Sequence, residues 1–571
     1  MNLDMNRYDF MLERNANYMN YIALSFGERN ISYEEMHDRI EKYYKLLKLK
    51  GITKGDIVGV CLLNCPESVY LLYALDKIGA VVVGFNPFDD KEKTKKDIEL
   101  TNPKAVITVD MAYSNFKDYE KALDFSIYTY SPVKSVNDLK FKLLYNVLQI
   151  KNGNFCLFKN INREIEKMSQ SSFGLAKSPY KSDDVSDILF TGGSTGVHKG
   201  VELTSSGLNY VVEGMNSIFD AYPGMIHLGN VPISHMAYGR VILHYALCNN
   251  MELALTLKAL PKDFYSELVR THANAAVGGP PHWVSLISEK DGAYVPDDKL
   301  IPSSLSELHY ATSGGEAKKS STDAAINAAL KYCGSDAKIG DGLGATETWA
   351  TMFANNGKKH TAGTVGVPIS TIDVKLISPI TGKEVADGEK GLLCVSGPSV
   401  MLRYHNNSKE TDKVIFYDDN GKKWCNLGDY LVKLENGEYK YVGRQKRNFV
   451  SGIENIYPEE LENLILSMPE VKEVLVTPVP DDLVQFIPRY HIYLANQNID
   501  YEDFEKRLNA LVLKKLTSSW LPGTIDYLNQ PLKRMSNSKV DINYYLEKDK
   551  EELNQGLINN ASGRKLRLQK I

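Results

Sequence analysis

Apolar residues recur in two rhythms along the first third of the chain. In ISYEEMHDRIEKYYKLLKLKG they fall at helical intervals up to Gly51, and Ser32 stands three residues before Glu35, the spacing of a capping box. GDIVGVCLL, VVVGFNP and KAVITVD (Lys104 to Asp110) are instead short unbroken apolar runs, with the helical stretch ESVYLLYALDKIGA between the first two. Strands apolar on both faces and alternating with helices predict a parallel sheet covered on both sides. From Asp187 to about Val442 the alternation resumes, with strands expected at DILF, KIGDGL, IDVKLI and GLLCVSG. After GRQKRN the pattern changes to a smaller unit. Its helix IYPEELENLILSMPEV has acidic residues in the first turn, where the helix dipole favours them, while VKEVLVTPVP, RYHIYLA and YEDFEKRLNALVLKKL read as two strands and a second helix. The fold class is α/β, a large N-terminal body followed by a small α+β unit.

Residues 131 to 180 interrupt the alternation with the basic, partly amphipathic stretches LKFKLLYNVLQIKNG and FKNINREIEKM. Such a segment suits either a membrane-surface or partner-binding insertion, or an excursion between sheets with a solvated lysine face. The basic end GRKLRLQKI reads as a frayed tail. Length and composition narrow the class further. The 571 residues allow several buried cores, and 43% hydrophobic with 24% charged residues excludes a wholly disordered or fibrous chain. Lys and Arg total 67 against 71 Asp and Glu, which speaks against a dedicated nucleic-acid binder. The seven cysteines are scattered, and Cys61 and Cys65 alone make a poor zinc site, so free thiols in a reducing compartment are expected. No secretory signal or membrane-spanning run is found, and a cytoplasmic location is expected.

The densest chemistry lies between Asp187 and Gly200, where strand DILF runs into TGGSTGVHKG. Gly, Ser and Thr on one tight turn present several backbone N–H groups and hydroxyls as an anion cradle, and Lys199 adds a positive charge. A P-loop needs Gly directly before its Lys, where this chain has His198; the G-x-G-x-x-G dinucleotide pattern fails as well.

TGGSTGVHKGVELTS resembles the phosphate loop of the adenylate-forming superfamily, which includes acyl- and aryl-CoA synthetases, adenylation domains of peptide synthetases, and luciferase. Further blocks follow in family order: NVPISHMAYG (Asn230–Gly239), ATSGGE (Ala311–Glu316), GDGLGATET (Gly340–Thr348), NLGDY (Asn426–Tyr430), YVGRQKRNFVSGIENIYPEELE and LKRMSNSKVD (Leu532–Asp541). The resemblance implies a body over residues 1–442 with two α/β sheet subdomains and a small β subdomain, a hinge at 443–446 about Lys446, and a mobile lid over 447–571. It implies ATP and Mg²⁺ as cofactors. Thr191, Ser194, Thr195, Gly196 and Lys199 would hold the β- and γ-phosphates, Thr346 the α-phosphate, and Glu347 the Mg²⁺. Gly314, Gly315, Glu316, Asp341, Gly342 and Leu343 would frame the adenine, and Asp429 would grip the ribose with Arg444 in support. Lys539 would meet the acid and α-phosphate together. His235 would close an acid pocket formed with Met236, Tyr238, Gly239, Gly344 and Trp349. PISHMAYG lacks the Asp that holds a substrate ammonium in amino-acid-activating members, which turns the expected substrate toward a fatty or aromatic acid. The thiol partner would be coenzyme A or a carrier-protein phosphopantetheine.

The chain also departs from the pattern. Leu343 replaces the adenine-stacking Tyr, His198 the loop Pro, Ser205 a His and Leu427 a Thr. Val450 and Ile453 replace the Lys and Gly of the hinge block, and Lys533, Met535 and Ser538 the Pro, Thr and Gly of the last motif. These changes keep open an amino-acid-loading adenylation domain, a catalytically weak nucleotide-binding regulator, and an enzyme that passes its adenylate to an amine or hydroxyl.

Overall fold

The computed structural model describes residues 2–119, 126–131, 160–167, 179–191, 199–290, 293–315, 320–357, 361, 363–445, 447–451, 454–481, 484–535 and 539–557. The three apolar runs of the first third do form neighbouring parallel strands. They lie in a sheet ordered Arg403–Tyr404, Lys199–Thr204, Val185–Thr191, Val81–Gly84, Ile57–Cys61, Ala105–Val109, Ser126–Tyr130, of which the last five strands are parallel. A second sheet runs Val367–Pro368, Phe353–Ala354, Ile339–Leu343, Tyr310–Ser313, Ala275–Gly278, Ile226–Gly229, Glu252–Leu255, Ile22–Phe26, Arg29–Ser32, and its six strands from Ile339–Leu343 to Ile22–Phe26 are parallel. Helices Pro66–Ile78, Ser205–Met215 and Ala237–Cys248 share one apolar core with both sheets, in which Val58 and Val82 of the first join Leu24 and Leu253 of the second. The expected capping box is half present: the Ser32 side chain accepts from the Glu35 backbone N–H and opens helix Tyr33–Leu49.

A third, antiparallel sheet joins Asp373–Ile377, Lys390–Ser396, Lys423–Lys433, Ile415–Tyr417 and Tyr439–Arg444. Glu454–Ile456, Phe449–Ser451, Gln485–Leu494, Val471–Asp481 and Thr524–Leu528 make the last sheet, covered by helices Pro458–Ile465, Tyr501–Lys515 and Ile542–Asn554. Of the basic stretch 131–180, the described helix Ile161–Lys167 buries Ile161 and Ile165, and Asn162 accepts from the Tyr43 hydroxyl at 2.7 Å. This part packs onto the body; most of the stretch and the GRKLRLQKI tail lie outside the described residues. Among the described residues the cysteines are free and buried, and no helix is long and apolar enough to cross a membrane.

The C-terminal helix Ile542–Asn554 docks through charge. His491 Nδ1 lies 2.8 Å from Asp526 Oδ2 and Nε2 lies 3.2 Å from Asp549 Oδ2. Arg489, Lys548 and Glu552 complete the cluster. Burial pushes the His491 pKa down, but the hydrogen bonds and charges of Asp526 and Asp549 outweigh it, and the net shift is upward. A raised folded-state value stabilises below the ordinary histidine value of about 6.5 and is lost as pH rises through the folded value. Urea midpoints followed by a probe in this unit fall as pH rises above about 6.5, and His491→Asn flattens that slope.

Candidate active site

In open parallel sheets the loops beyond the carboxyl ends of the strands form ligand sites. Here those edges carry most of the sequence-predicted residues. Strand Ile226–Gly229 leads into the segment bearing His235, Tyr310–Ser313 into Gly314 and Gly315, and Ile339–Leu343 into Gly344, Thr346 and Glu347. The His235 segment is stitched to the other sheet. Asn64 Nδ2 donates to the carbonyls of Gly229 and Val231, each at 2.9 Å, and its Oδ1 accepts from Ile233 N at 3.0 Å. Ser234 Oγ donates to the Leu62 carbonyl at 2.6 Å. Strand Val81–Gly84 ends so close that a Cβ on Gly84 would sit 2.5 Å from the Ser234 carbonyl oxygen and 2.7 Å from His235 Cα, so only glycine fits.

His235 Nδ1 lies 3.1 Å from Ser234 Oγ. That hydroxyl already gives its proton to Leu62, so Nδ1–H donates to it and Nε2 is left as an acceptor. Burial, then the charges of Lys93 and Arg240, push the imidazole down to about 3, and it is neutral at physiological pH. Met236 is exposed and Tyr238 half-buried, while Gly239 lies in the first turn of helix Ala237–Cys248, where a Cβ would run into the Pro232 carbonyl oxygen.

Beneath this segment lies a quartet of buried charges. Asp187 Oδ1 accepts from Arg240 Nη1 and its Oδ2 pairs with Arg7 Nη1, both at 2.9 Å. Arg7 Nε also donates to Asp76 Oδ1 at 3.0 Å, and Arg240 Nη2 donates to the Ser234 carbonyl at 2.9 Å. Ser205 Oγ donates to Asp76 at 2.6 Å and accepts from Arg7 N at 2.7 Å. Burial pushes Arg240 down to about 10 against the pull of Asp187, and it remains charged at neutral pH. Asn64, Arg7, Asp76 and Arg240 carry no motif, and the sequence reading missed them; a charge inside an apolar helix such as AYGRVILHYALC was the available signal.

Lys199 opens the return strand of a hairpin, paired with Thr191. The loop therefore joins two antiparallel strands, whereas a P-loop joins a strand to a helix, and the rejection of the P-loop reading agrees with this. Lys199 Nζ lies 3.3 Å from Glu410 Oε2 and 4.2 Å from the Tyr404 ring centroid. The Tyr404 hydroxyl donates to Glu347 Oε1 at 2.7 Å. Glu347 is buried, in the helical turn Thr346–Thr348. Asp429 is buried too; Arg444 Nε donates to its Oδ1 at 2.8 Å, while its Oδ2 has no hydrogen-bond partner among the described residues. The Asp429 carboxylate first, and Glu347 among lesser causes, hold Arg444 above its usual value, which draws these three groups into one field. After strand Tyr310–Ser313, no atom of the described residues beyond the chain neighbours lies within 4 Å of the Cβ positions of Gly314 and Gly315, and Gly315 has φ +92°. The Asp341 carbonyl accepts from Asn355 N and Nδ2, Gly342 pairs with Ala354, and Leu343 packs with Met352 and Phe353. Gly344 is forced, since a Cβ there would lie 1.8 Å from the Ala350 carbonyl oxygen.

Trp349, expected in the floor of an open pocket, is instead fully enclosed. Its Nε1 donates to the Thr204 carbonyl at 3.0 Å, and the Arg7 guanidinium lies 5.9 Å from its ring centroid. Lys539 lies on an exposed turn whose backbone carbonyl accepts from Met535 N at 2.8 Å, within the C-terminal unit. Ser194, Thr195, Gly196, Glu316 and Lys446 lie outside the described residues.

Known proteins share this fold. A family model described as AMP-binding enzyme matches residues 12–405. A long-chain-fatty-acid–CoA ligase of Bacillus subtilis is 27% identical over 477 residues, covering 82% of this chain and 81% of the relative. A 4-coumarate–CoA ligase of Humulus lupulus is 24% identical over 496 residues, covering 85% and 83%. An ATP-bound MatB from Rhodopseudomonas palustris has the same fold, with a TM-score of 0.79 at 20% identity over 95% of this chain and 99% of that one.

Removing one partner of a buried ion pair leaves the others uncompensated, at a cost of about 3–5 kcal/mol. Asp187→Asn is expected to lower the stability of the large body by that amount in urea unfolding, whereas Glu213→Gln, which loses an exposed ion pair with Arg14, stays within about 0.5 kcal/mol.

Proposed function

The chain belongs to the AMP-binding enzyme family, and on that premise we propose that it is an AMP-forming acid–thiol ligase. A carboxylate oxygen of the acid attacks the α-phosphorus of ATP and pyrophosphate leaves. The thiolate of coenzyme A, or of a carrier-protein phosphopantetheine, then attacks the acyl carbon of the adenylate, giving a thioester and AMP. The observation that carries this reading is Asp429: a buried carboxylate with one oxygen held by Arg444 and the other without a partner among the described residues. That is an acceptor waiting for a donor pair such as ribose hydroxyls.

The other roles follow from position and charge. Lys199 exchanges Glu410 for the β- and γ-phosphates that Thr191, Ser194, Thr195 and Gly196 cradle. Gly314, Gly315, Glu316 and the Asp341–Leu343 edge receive the adenine, and Thr346 bonds the α-phosphate. Glu347 offers one hard carboxylate, oriented by the Tyr404 hydroxyl that donates to its Oε1. This suits Mg²⁺, which takes one or two carboxylates together with substrate phosphates and, when bound, neutralises charge on them. Neutral His235, beside Met236, Tyr238 and Gly239, faces the acid, and with no carboxylate in PISHMAYG the site suits an acid without an α-amino group. The curated relatives named above, a fatty-acid and a coumarate ligase, support that class. In this reading residues 1–442 form the adenylating body and 447–571 a lid that brings Lys539 in and then turns about Lys446. Free buried thiols support a cytoplasmic location.

ATP–pyrophosphate exchange across a panel of fatty, aryl and amino acids tests the reading. Fatty or aryl acids support exchange, amino acids do not, and Lys539→Ala abolishes it; exchange with no acid at all would refute the ligase. Asp429→Asn removes a charge-assisted contact of about 1.5–3 kcal/mol, which raises the KM for ATP about 10- to 100-fold and leaves the KM for the acid unchanged in the same assay.

A further inference from the structure

The buried charge quartet is not closed by the residues around it. Among the described residues Arg7 Nη2 and Arg240 Nε have no acceptor, although Arg7 is 4% and Arg240 1% exposed. Both line an internal cavity, together with Tyr73, His244 and three leucines, that has about 10 Å³ of room for the centre of a water-sized sphere. A single water needs about that much room and two to four polar partners. Unpaired buried N–H groups in a native protein call for an occupant that accepts.

The hydrogen-bond directions around the cavity can be fixed one after another. Asn209 Nδ2 donates to the carbonyls of Leu3 and Met5, so its Oδ1 is the acceptor. His244 Nε2, 2.8 Å from that oxygen, must therefore carry its proton. Burial, then Arg7 and Arg14, push His244 well below the usual histidine value, so the ring is neutral and Nδ1 is bare. The Tyr73 hydroxyl, 3.0 Å from Nδ1, donates to it and keeps its oxygen lone pairs free to accept. The cavity thus presents two donors and one acceptor.

The charge count selects the occupant. Arg7 and Arg240 balance Asp76 and Asp187, and His244 adds nothing, so a neutral guest fits where an anion would leave the site unbalanced. We propose that one water molecule is a fixed part of this protein here, accepting from Arg7 Nη2–H and Arg240 Nε–H and donating to Tyr73 Oη. All three nitrogens of Arg240 are then held: by Asp187, by the Ser234 carbonyl and by the water. Since Ser234 precedes His235, the water and Tyr73 act as positioning elements for the acid segment, a consequence that rests on the proposed ligase reading.

The test has two arms. Crystals of the full chain grown with bromide replacing chloride show a water peak within hydrogen-bond reach of Arg7 Nη2, Arg240 Nε and Tyr73 Oη, with no anomalous signal; an empty cavity or a bromide peak overturns the site. This arm does not depend on any activity. Tyr73→Phe keeps the ring, and the Cys248 thiol, 3.4 Å from His244 Nδ1, is placed to take over that bond. In the exchange assay the variant raises the KM for the acid several-fold with the KM for ATP unchanged, whereas equal changes in both, or none, overturn the positioning role.

Discussion

Everything at the junction of the two parallel sheets depends on one constraint: Asp187 and its partners must be buried as a complete, neutral set. Asp187 is wholly enclosed, and both its oxygens are taken, by Arg240, by Arg7 and by the Ser186 hydroxyl. Taking four charges out of water costs several kcal/mol per ion, and that cost is offset only if every partner arrives together. The partners come from helix Arg7–Asn15, helix Pro66–Ile78, strand Val185–Thr191 and helix Ala237–Cys248. The quartet therefore acts as a registration device. It sets the strand that feeds the phosphate loop against the helix that follows His235, and an error in either leaves an uncompensated charge.

The same logic, reversed, describes the strand-end edge that the proposed reading gives to the nucleotide. There the charged groups are deliberately incomplete or provisionally matched. Lys199 rests on Glu410 and the face of Tyr404, and Asp429 keeps one oxygen unpaired. Buried polar groups held in place but not fully satisfied cost stability in the free protein, and a ligand that supplies the missing contacts recovers it without reorganisation. The quartet's carboxylates are fully paired within the protein, whereas Asp429 at the strand-end edge keeps one oxygen unpaired among the described residues, and that contrast separates scaffold from site.

Hydrophobic rhythm made the scaffold legible. The unbroken runs at Ile57–Cys61, Val81–Gly84 and Ala105–Val109 can only be strands buried on both faces, and they pair as such. Motif order made Lys199, Glu347, Asp429 and Arg444 legible as a group. Sequence could not reveal the long-range pairs: Arg7 with Asp187, or Asn64 with Gly229 to Ile233, join residues far apart in the chain whose identities follow no local rule. Trp349 shows the opposite error. An aromatic residue beside the Thr346-Glu347 motif suggested a pocket wall, but its indole N–H reaches inward to Thr204 and its ring lies under Arg7. Adjacency in sequence says nothing about which side of a turn a side chain takes.

The departures from the superfamily pattern acquire a physical sense in this frame. Ser205 stands where the family usually has His, and it accepts from Arg7 N while donating to Asp76. A hydroxyl can do both at one oxygen, and its small volume leaves room for Arg7 to reach Asp187. Leu343, in place of a Tyr, packs with Met352 and Phe353 instead of offering a stacking face. Aromatic stacking would contribute on the order of 0.5–1.5 kcal/mol to nucleotide binding. In the proposed ligase reading, its absence shifts the burden of holding the nucleotide onto charge, through Asp429, Arg444 and Lys199. In that reading the departures include a charged position, Val450 in place of a Lys, while Lys199, Glu347, Asp429 and Arg444 are present together. Their joint presence is the pattern expected where the transition state develops charge on phosphate and the protein must meet it with fixed charges.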